Sequence, residues 1–376
     1  MFGSASVQKN VPALKLISER RIMPPVRFDP TGGQMTEECR RNHAHKNGGI
    51  KMLKKIALEE HYDSPGLWAS GPHELMKKDY FEAVQERLKN IDLRIEDMDR
   101  NGIETYILSL AQPGIEGVCD AGTAAAKAKE MNDYCAEKMV AKYPTRLRAF
   151  ACIPLQDPAQ GARELERAVK ELGFVGALIN GYTNIGDVNT AQYLDEPQVE
   201  VFWAKVEELG VPVYLHPRIP LPNQQRIYEG YPGLLDSAWA FGVETATHAV
   251  RLILSGLFDR HPGLRVILGH LGEGLTFTLP RLEHRLRHTK KELHGAHEKA
   301  PTEYLRKNFY LTTSGTFRSQ ALLDTILEVG ADHILFSVDS PYETPDELAP
   351  WFDACPISEN DRQKIGRDNA RALFGL

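Results

Sequence analysis

Eight short apolar runs, separated by helix-patterned stretches, constrain this 376-residue chain more than any other feature. They are KKIALEEH (54–61), TYILSL (105–110), RAFACIPL (148–155), GALING (176–181), PVYLHP (212–217), RVILGH (265–270), FYLTTSG (309–315) and ILFSVD (334–339). Each is nearly continuous in apolar, often β-branched residues, the pattern of parallel strands buried on both faces. The intervening stretches include LRIEDMDRNGI, AAAKAKEMNDYCAEKMVAKY, GARELERAVKELGF, VEVFWAKVEELG, ETATHAVRLILSGLFDRHPG and SQALLDTILEVGA. Several end in Gly and some run on into Pro, a normal helix stop.

Eight such units read as an α/β fold of the (β/α)8 TIM-barrel type. A doubly wound open sheet is the alternative, weakened because no Gly-rich phosphate fingerprint follows the first strand. In a barrel, the segments 62–85 and 218–243, rich in Pro, Gly and aromatics, follow strands and sit over the catalytic end. Length alone would permit two domains, but α/β barrels of this size are single units.

Charge divides the chain. Of its 45 Lys+Arg and 51 Asp+Glu, eight and four lie in residues 1–50, leaving 37 and 47 for the rest. Residues 1–51 lack sustained periodicity and read as an irregular or disordered extension of the catalytic domain 52–376. Glu19, Asp29, Glu37 and Glu38 argue against an organelle-targeting signal, and no apolar secretory core is present. A net charge of −6 and a pI of about 6.1 argue against a nucleic-acid partner. No apolar run is long enough to span a bilayer, so no membrane partner is expected. Cys39, Cys119, Cys135, Cys152 and Cys355 are odd in number and form no C-x-x-C pair, as in a reducing, cytoplasmic setting.

Functional groups of a barrel emerge at the C-terminal strand ends. Here the first strand ends in Glu59-Glu60-His61, the fifth in His216, the sixth in His270 and the eighth in Asp339. Glu59 and His61 are two apart and share a strand face, with Glu60 opposite. Imidazole and carboxylate together suit Zn²⁺, Mn²⁺ or Fe²⁺. Any one such histidine could simply satisfy a local hydrogen bond; the coincidence at four strand ends favours a metal site. His270 lies in GHLGEG, where a helix starting near Glu273 would set a carboxylate against the imidazole. Arg281 follows on that helix; spacing alone reads it as a solvated side chain. The same holds for His284, His288, His294 and His297, while His248 reads as packed and His261 as a helix-end residue. No G-x-S-x-G or cysteine-nucleophile motif is present.

The motifs EEH (59–61), YLHPR (214–218), LFDRHPGLRVILGHLGEG (257–274) and ILFSVDSPYE (334–343) resemble those of the amidohydrolase superfamily, and more narrowly its metal-dependent aromatic decarboxylases. ALEEH, ILSL, IPLQDP, LGFVGALING, YLHPRIPLP and KIGRDNARALF are similar to the γ-resorcylate subgroup, and the likeness spans residues 52–376. Glu59-x-His61 replaces the superfamily's His-x-His, a departure typical of this branch that speaks against a hydrolytic amidase. His61 favours the γ-resorcylate type over relatives acting on 2,3-dihydroxybenzoate.

The resemblance implies an amidohydrolase-type barrel with one divalent ion, Zn²⁺ or Mn²⁺, on Glu59, His61, His216 and Asp339, and no organic cofactor. It implies that His270 and Glu273 form a catalytic pair, that His270 and Arg281 contact substrate, and that Asp339 donates a proton. The implied reaction is reversible, non-oxidative decarboxylation of a small aromatic carboxylate, 2,6-dihydroxybenzoate to resorcinol, by a homo-oligomer (tetramer or dimer). Related hydroxybenzoates, or a hydrolase or hydratase reaction on the same scaffold, are the alternatives.

Overall fold

The structure, a computed structural model, describes residues 53–63 and 75–376. The extension 1–51 and residues 64–74 of the first loop lie outside the described residues. Met52–Leu376 forms one compact unit.

All eight expected strands are present: β1 (Lys55–Tyr62), β2 (Ile103–Leu110), β3 (Leu147–Ala149), β4 (Ala177–Asn180), β7 (Val213–His216), β8 (Val266–Leu268), β9 (Phe309–Thr312) and β10 (Ile334–Leu335). An antiparallel hairpin, β5 (Thr183–Ile185) with β6 (Asp187–Gln192), is an addition the apolar pattern did not show. Most of β6 is exposed, so it lacks the continuous apolar signature of a barrel strand.

Parallel pairing runs β1-β2-β3 and β4-β7-β8-β9-β10, with the bridge Ala151–Ala177 joining the two groups. The ring closes between β10 and β1. The amide of His61 donates to the Ser340 carbonyl at 2.7 Å, that of Glu59 to Ser337 Oγ at 2.8 Å, and that of Val338 to Glu60 Oε1 at 3.1 Å. The chain is therefore a (β/α)8 barrel, as its strand count implies.

Strand alternation sorts side chains into two layers. Ile56, Leu58, Ile107, Phe150, Leu178, Tyr214, Ile267 and Leu335 fill the barrel. Ala57, Tyr106, Leu108, Ile179, Val213, Leu215, Val266 and Leu268 pack outward on the helices. A register shift between Ala57 and Glu60 interrupts β1. This bulge lets Leu58 join the inner core while its neighbour Glu59 also turns inward, a re-aiming of the kind bulges provide.

Helix ends follow local chemistry. Asp120 and Asp157 accept backbone N–H bonds at the starts of Ala121–Tyr134 and Pro158–Lys170, and left-handed Gly102 and Gly210 end Ile91–Asn101 and Glu200–Leu209. The stretch 244–263 is two helices, Ala240–Leu254 and Leu257–Arg260, because Gly256 turns left-handed between them. The first βα loop is shorter than expected, since a helix already starts at Lys78. Segment 218–243 forms the 3-10 turns Pro222–Tyr228 and Pro232–Leu234 before its helix.

Candidate active site

Glu59, His61, His216 and Asp339 meet at the C-terminal end of the barrel. One ligand-type atom from each lies within 4.8 Å of the other three. His61 Nε2 is 3.2 Å from Asp339 Oδ1, and His216 Nε2 is 3.4 Å from Glu59 Oε1. Buried Glu59 Oε1 and His61 Nε2 have no hydrogen-bond partner among the described residues. Unpartnered polar atoms are costly inside a protein, and a cation between them would satisfy both. Two imidazoles and two carboxylates form a donor set suited to Zn²⁺ or Mn²⁺.

Three of the four candidate ligands are held from behind. Ser109 Oγ lies 3.2 Å from His61 Nδ1, and Asn180 Oδ1 lies 2.9 Å from His216 Nδ1. The Tyr214 hydroxyl donates to Glu59 Oε2 and sits 3.1 Å from Thr312 Oγ1. Such partners fix the imidazole tautomer and leave each Nε2 lone pair free for a cation. Sequence reasoning missed Ser109, Asn180 and Tyr214. Their signal was a polar group in an otherwise apolar strand, visible in ILSL (107–110), ALIN (177–180) and VYLH (213–216) but without chemistry of its own.

His270 and Glu273 are brought together, though not by a helix start. His270, Leu271, Gly272, Glu273 and Gly274 all have positive φ, and the helix begins at Leu275. Non-glycine residues in this region are strained by about 1 kcal/mol or more each, a feature that clusters at functional sites. The turn sets His270 Nδ1 2.7 Å from Glu273 Oε1 and leaves Nε2 3.8 Å from both Glu59 Oε1 and Asp339 Oδ2. Gly315 makes this approach possible, since a Cβ there would meet His270 Cδ2 at 2.8 Å. Asp339 is itself left-handed, at φ 76°.

Electrostatics follow the geometry. Burial raises the Glu59 carboxyl, with His270 opposing it. Burial, then His61, holds His216 well below the usual imidazole range, so it is a neutral imidazole with a lone pair to offer a cation. Burial works against charge on His270, but Glu273, Glu59 and Asp339 outweigh it and raise His270 well above that range. Burial likewise opposes ionisation of Asp339, yet the facing His270 and His61 imidazoles bring it down to about 2. Without a cation, the proton of the His270–Asp339 pair therefore resides on the imidazole.

A cavity of about 680 Å³ opens above this cluster, lined also by Tyr80, Asp236, Trp239, Thr278, Tyr342 and Glu343. The two Pro/Gly/aromatic segments thus build its walls, as expected. Arg281 does not join it. It is exposed, a turn beyond Thr278 on Leu275–Leu286, and absent from the lining of one chain's cavity. The other singled-out histidines also stay outside. His284 and His288 are exposed, and buried His248 accepts from the Leu194 amide. His261 bridges Glu200 and Glu207, a stronger role than a helix end alone suggests.

Residues 72–376 match the amidohydrolase family along four-fifths of the sequence. The chain belongs to the amidohydrolase family. This amidohydrolase is 49% identical over 326 residues to γ-resorcylate decarboxylase of Rhizobium sp. (strain MTP-10005), covering 86% of the chain and 99% of the relative. Its fold is similar to the crystal structure of a dihydroxybenzoic acid decarboxylase from Polaromonas sp. JS666 with manganese and 2-nitroresorcinol bound (TM-score 0.83, 49% identity, 86% and 98% covered). It is also similar to a 2,6-dihydroxybenzoate decarboxylase complexed with 2,6-dihydroxybenzoate (TM-score 0.81, 49% identity, 86% and 100% covered).

Proposed function

We propose that this amidohydrolase is a metal-dependent carboxy-lyase that converts 2,6-dihydroxybenzoate to resorcinol and CO2. The observation that carries the reading is the convergence of Glu59, His61, His216 and Asp339 within 4.8 Å beneath an aromatic-walled cavity. The similarity to proteins bearing that activity and to a structure holding that compound supports it.

When bound, a divalent ion would hold the substrate's carboxylate and phenolic oxygens and favour the phenolate. Glu59, His61, His216 and Asp339 would hold the ion. His270 carries a proton on Nε2, 3.8 Å from Asp339 Oδ2. Asp339 takes it up and delivers it to the ring carbon that bears the carboxylate. The bond to the carboxylate then breaks, its electron pair restores the aromatic ring, and CO2 leaves. Glu273 orients His270 and stabilises its charge. Tyr80, Trp239 and Tyr342 wall the ring and exclude water. No water enters the balance, so the reaction reverses at high bicarbonate.

Mn²⁺ is the ion favoured by the bound manganese of the Polaromonas relative, with Zn²⁺ the competitor for the same donors. The protein is further proposed to be a cytoplasmic homo-oligomer, tetramer or dimer. Exposed Trp239 and Phe277, near the cavity, support a covering copy. Among the described residues no helix is long and apolar enough to cross a membrane.

The test is a decarboxylation screen over salicylate, 2,3-, 2,4- and 2,6-dihydroxybenzoate and 5-carboxyvanillate, with metal analysis of the same sample. Highest kcat/KM on 2,6-dihydroxybenzoate supports the reading; turnover of another acid alone overturns the substrate assignment.

A further inference from the structure

Behind His216 lies a buried acid that the mechanism does not use. Glu116 is fully buried and does not line the cavity. Its Oε2 accepts from Asn180 Nδ2 at 3.2 Å, and Asn180 Oδ1 lies 2.9 Å from His216 Nδ1. The three side chains come from the loop after β2, the end of β4 and the end of β7.

An asparagine amide has one accepting and one donating end, and nothing intrinsic to it decides which faces the imidazole. Burial pushes Glu116 up to about 7, and in its ionised form it can only accept. With Glu116 on one side, the amide must present its NH2 there and its oxygen to His216. His216 must then carry its hydrogen on Nδ1 and direct the Nε2 lone pair toward the cluster. The opposite orientation would present NH2 to Nδ1 and favour the tautomer with hydrogen on Nε2, which cannot bind a cation.

The loop bearing Glu116 is fixed accordingly. Arg218, two residues beyond His216, donates to the Glu116 carbonyl at 3.1 Å and to the Tyr182 carbonyl at 2.8 Å. Gln156 donates to the Ile115 and Val118 carbonyls at 2.8 and 2.6 Å. Gly114 leaves the space: a Cβ there would meet Asn180 Nδ2 at 2.4 Å and Glu116 Oε2 at 2.6 Å.

We infer that Glu116 is a positioning residue for the metal site, setting the amide orientation of Asn180 and through it the tautomer of His216. The inference rests on the metal-dependent reading above. Losing such an outer partner weakens metal affinity about 10- to 100-fold.

The experiment titrates metal-depleted full-length protein with Mn²⁺, reading free ion by electron paramagnetic resonance. Glu116→Leu is expected to weaken binding at least tenfold, and Glu116→Gln, which keeps an accepting oxygen, to restore most of it. In an Asn180→Asp background Glu116→Leu should cause no loss, because an aspartate accepts from Nδ1 in either orientation and the leucine also removes a second buried carboxyl beside it. Gly114→Ala, which prises Asn180 from Glu116 while keeping both, supplies the same test if Glu116→Leu does not fold. Wild-type affinity in Glu116→Leu or Gly114→Ala, or equal loss in both backgrounds, overturns the inference. Failure of the wild-type protein to bind Mn²⁺ would instead overturn the metal-dependent reading.

Discussion

His270 and Glu273 are joined at 2.7 Å, Nδ1 to Oε1, across a left-handed turn rather than along a helix. In a helix begun at His270 the imidazole would follow the helix surface; here it is swung over the cluster, with Nε2 equidistant from Glu59 and Asp339. The strain of the turn is thus spent on aiming one nitrogen.

Glu273→Gln removes the charge that most raises His270. The imidazolium then gives up its proton at lower pH, so the basic limb of the kcat/KM profile shifts downward. Because His270 must be protonated to supply the proton, kcat/KM near pH 7.5 should fall about 100-fold, within the span of general acid–base effects. An unmoved basic limb in the pH–rate profile would show that Glu273 does not act through His270.

Glu343 lines the cavity and is pushed up to about 7, first by burial and then by Asp339. As pH rises through that value, Glu343 ionises and repels an aromatic carboxylate. KM for 2,6-dihydroxybenzoate should rise about fivefold from pH 6 to pH 8, on the order of 1 kcal/mol for like charges in a partly screened cavity. Glu343→Gln should flatten that rise. Equal slopes for both proteins in initial-rate measurements would contradict this placement.

Arg94 and Glu60 close the seam of the barrel. Arg94 Nη2 lies 3.4 Å from Glu60 Oε2 and 3.3 Å from the Ser340 carbonyl, and both side chains are buried. Arg94→Met strands a buried carboxylate and should destabilise the protein by about 3–5 kcal/mol. The double variant Glu60→Gln with Arg94→Met should recover part of that. Urea unfolding measures both, and a single-variant loss below about 1 kcal/mol would exclude the seam role.

A chain beginning at Met52 should keep wild-type kcat/KM. The Rhizobium relative is matched over 99% of its length by 86% of this chain, and Met52–Leu376 is a compact unit by itself. Loss of activity in steady-state assays would assign the extension a part in the site or in assembly.

The strands and the residues of the candidate metal cluster were legible for one reason: four of the eight apolar strands end in a group that chelates or titrates. Glu59, His61, His216, His270 and Asp339 stand out against that background. Ser109, Asn180 and Glu116 do not, because their importance lies in which imidazole or amide they face across the barrel, a matter of register between distant strands. The left-handed turn at 270–274 was hidden because only two of its five residues are glycine. Arg281, which the resemblance implies as a substrate contact, lies one turn beyond Thr278 and outside the lining of this chain's own cavity, a placement that spacing along the helix does not reveal.

The most direct test of the account is turnover of 2,6-dihydroxybenzoate by the Mn²⁺-loaded protein in D2O and, separately, in ¹⁸O-water. The account requires equimolar CO2 and resorcinol, with one deuterium on the ring carbon that lost the carboxylate and no ¹⁸O in the resorcinol. An ¹⁸O-labelled organic product, or no resorcinol from protein that holds its metal, would contradict it.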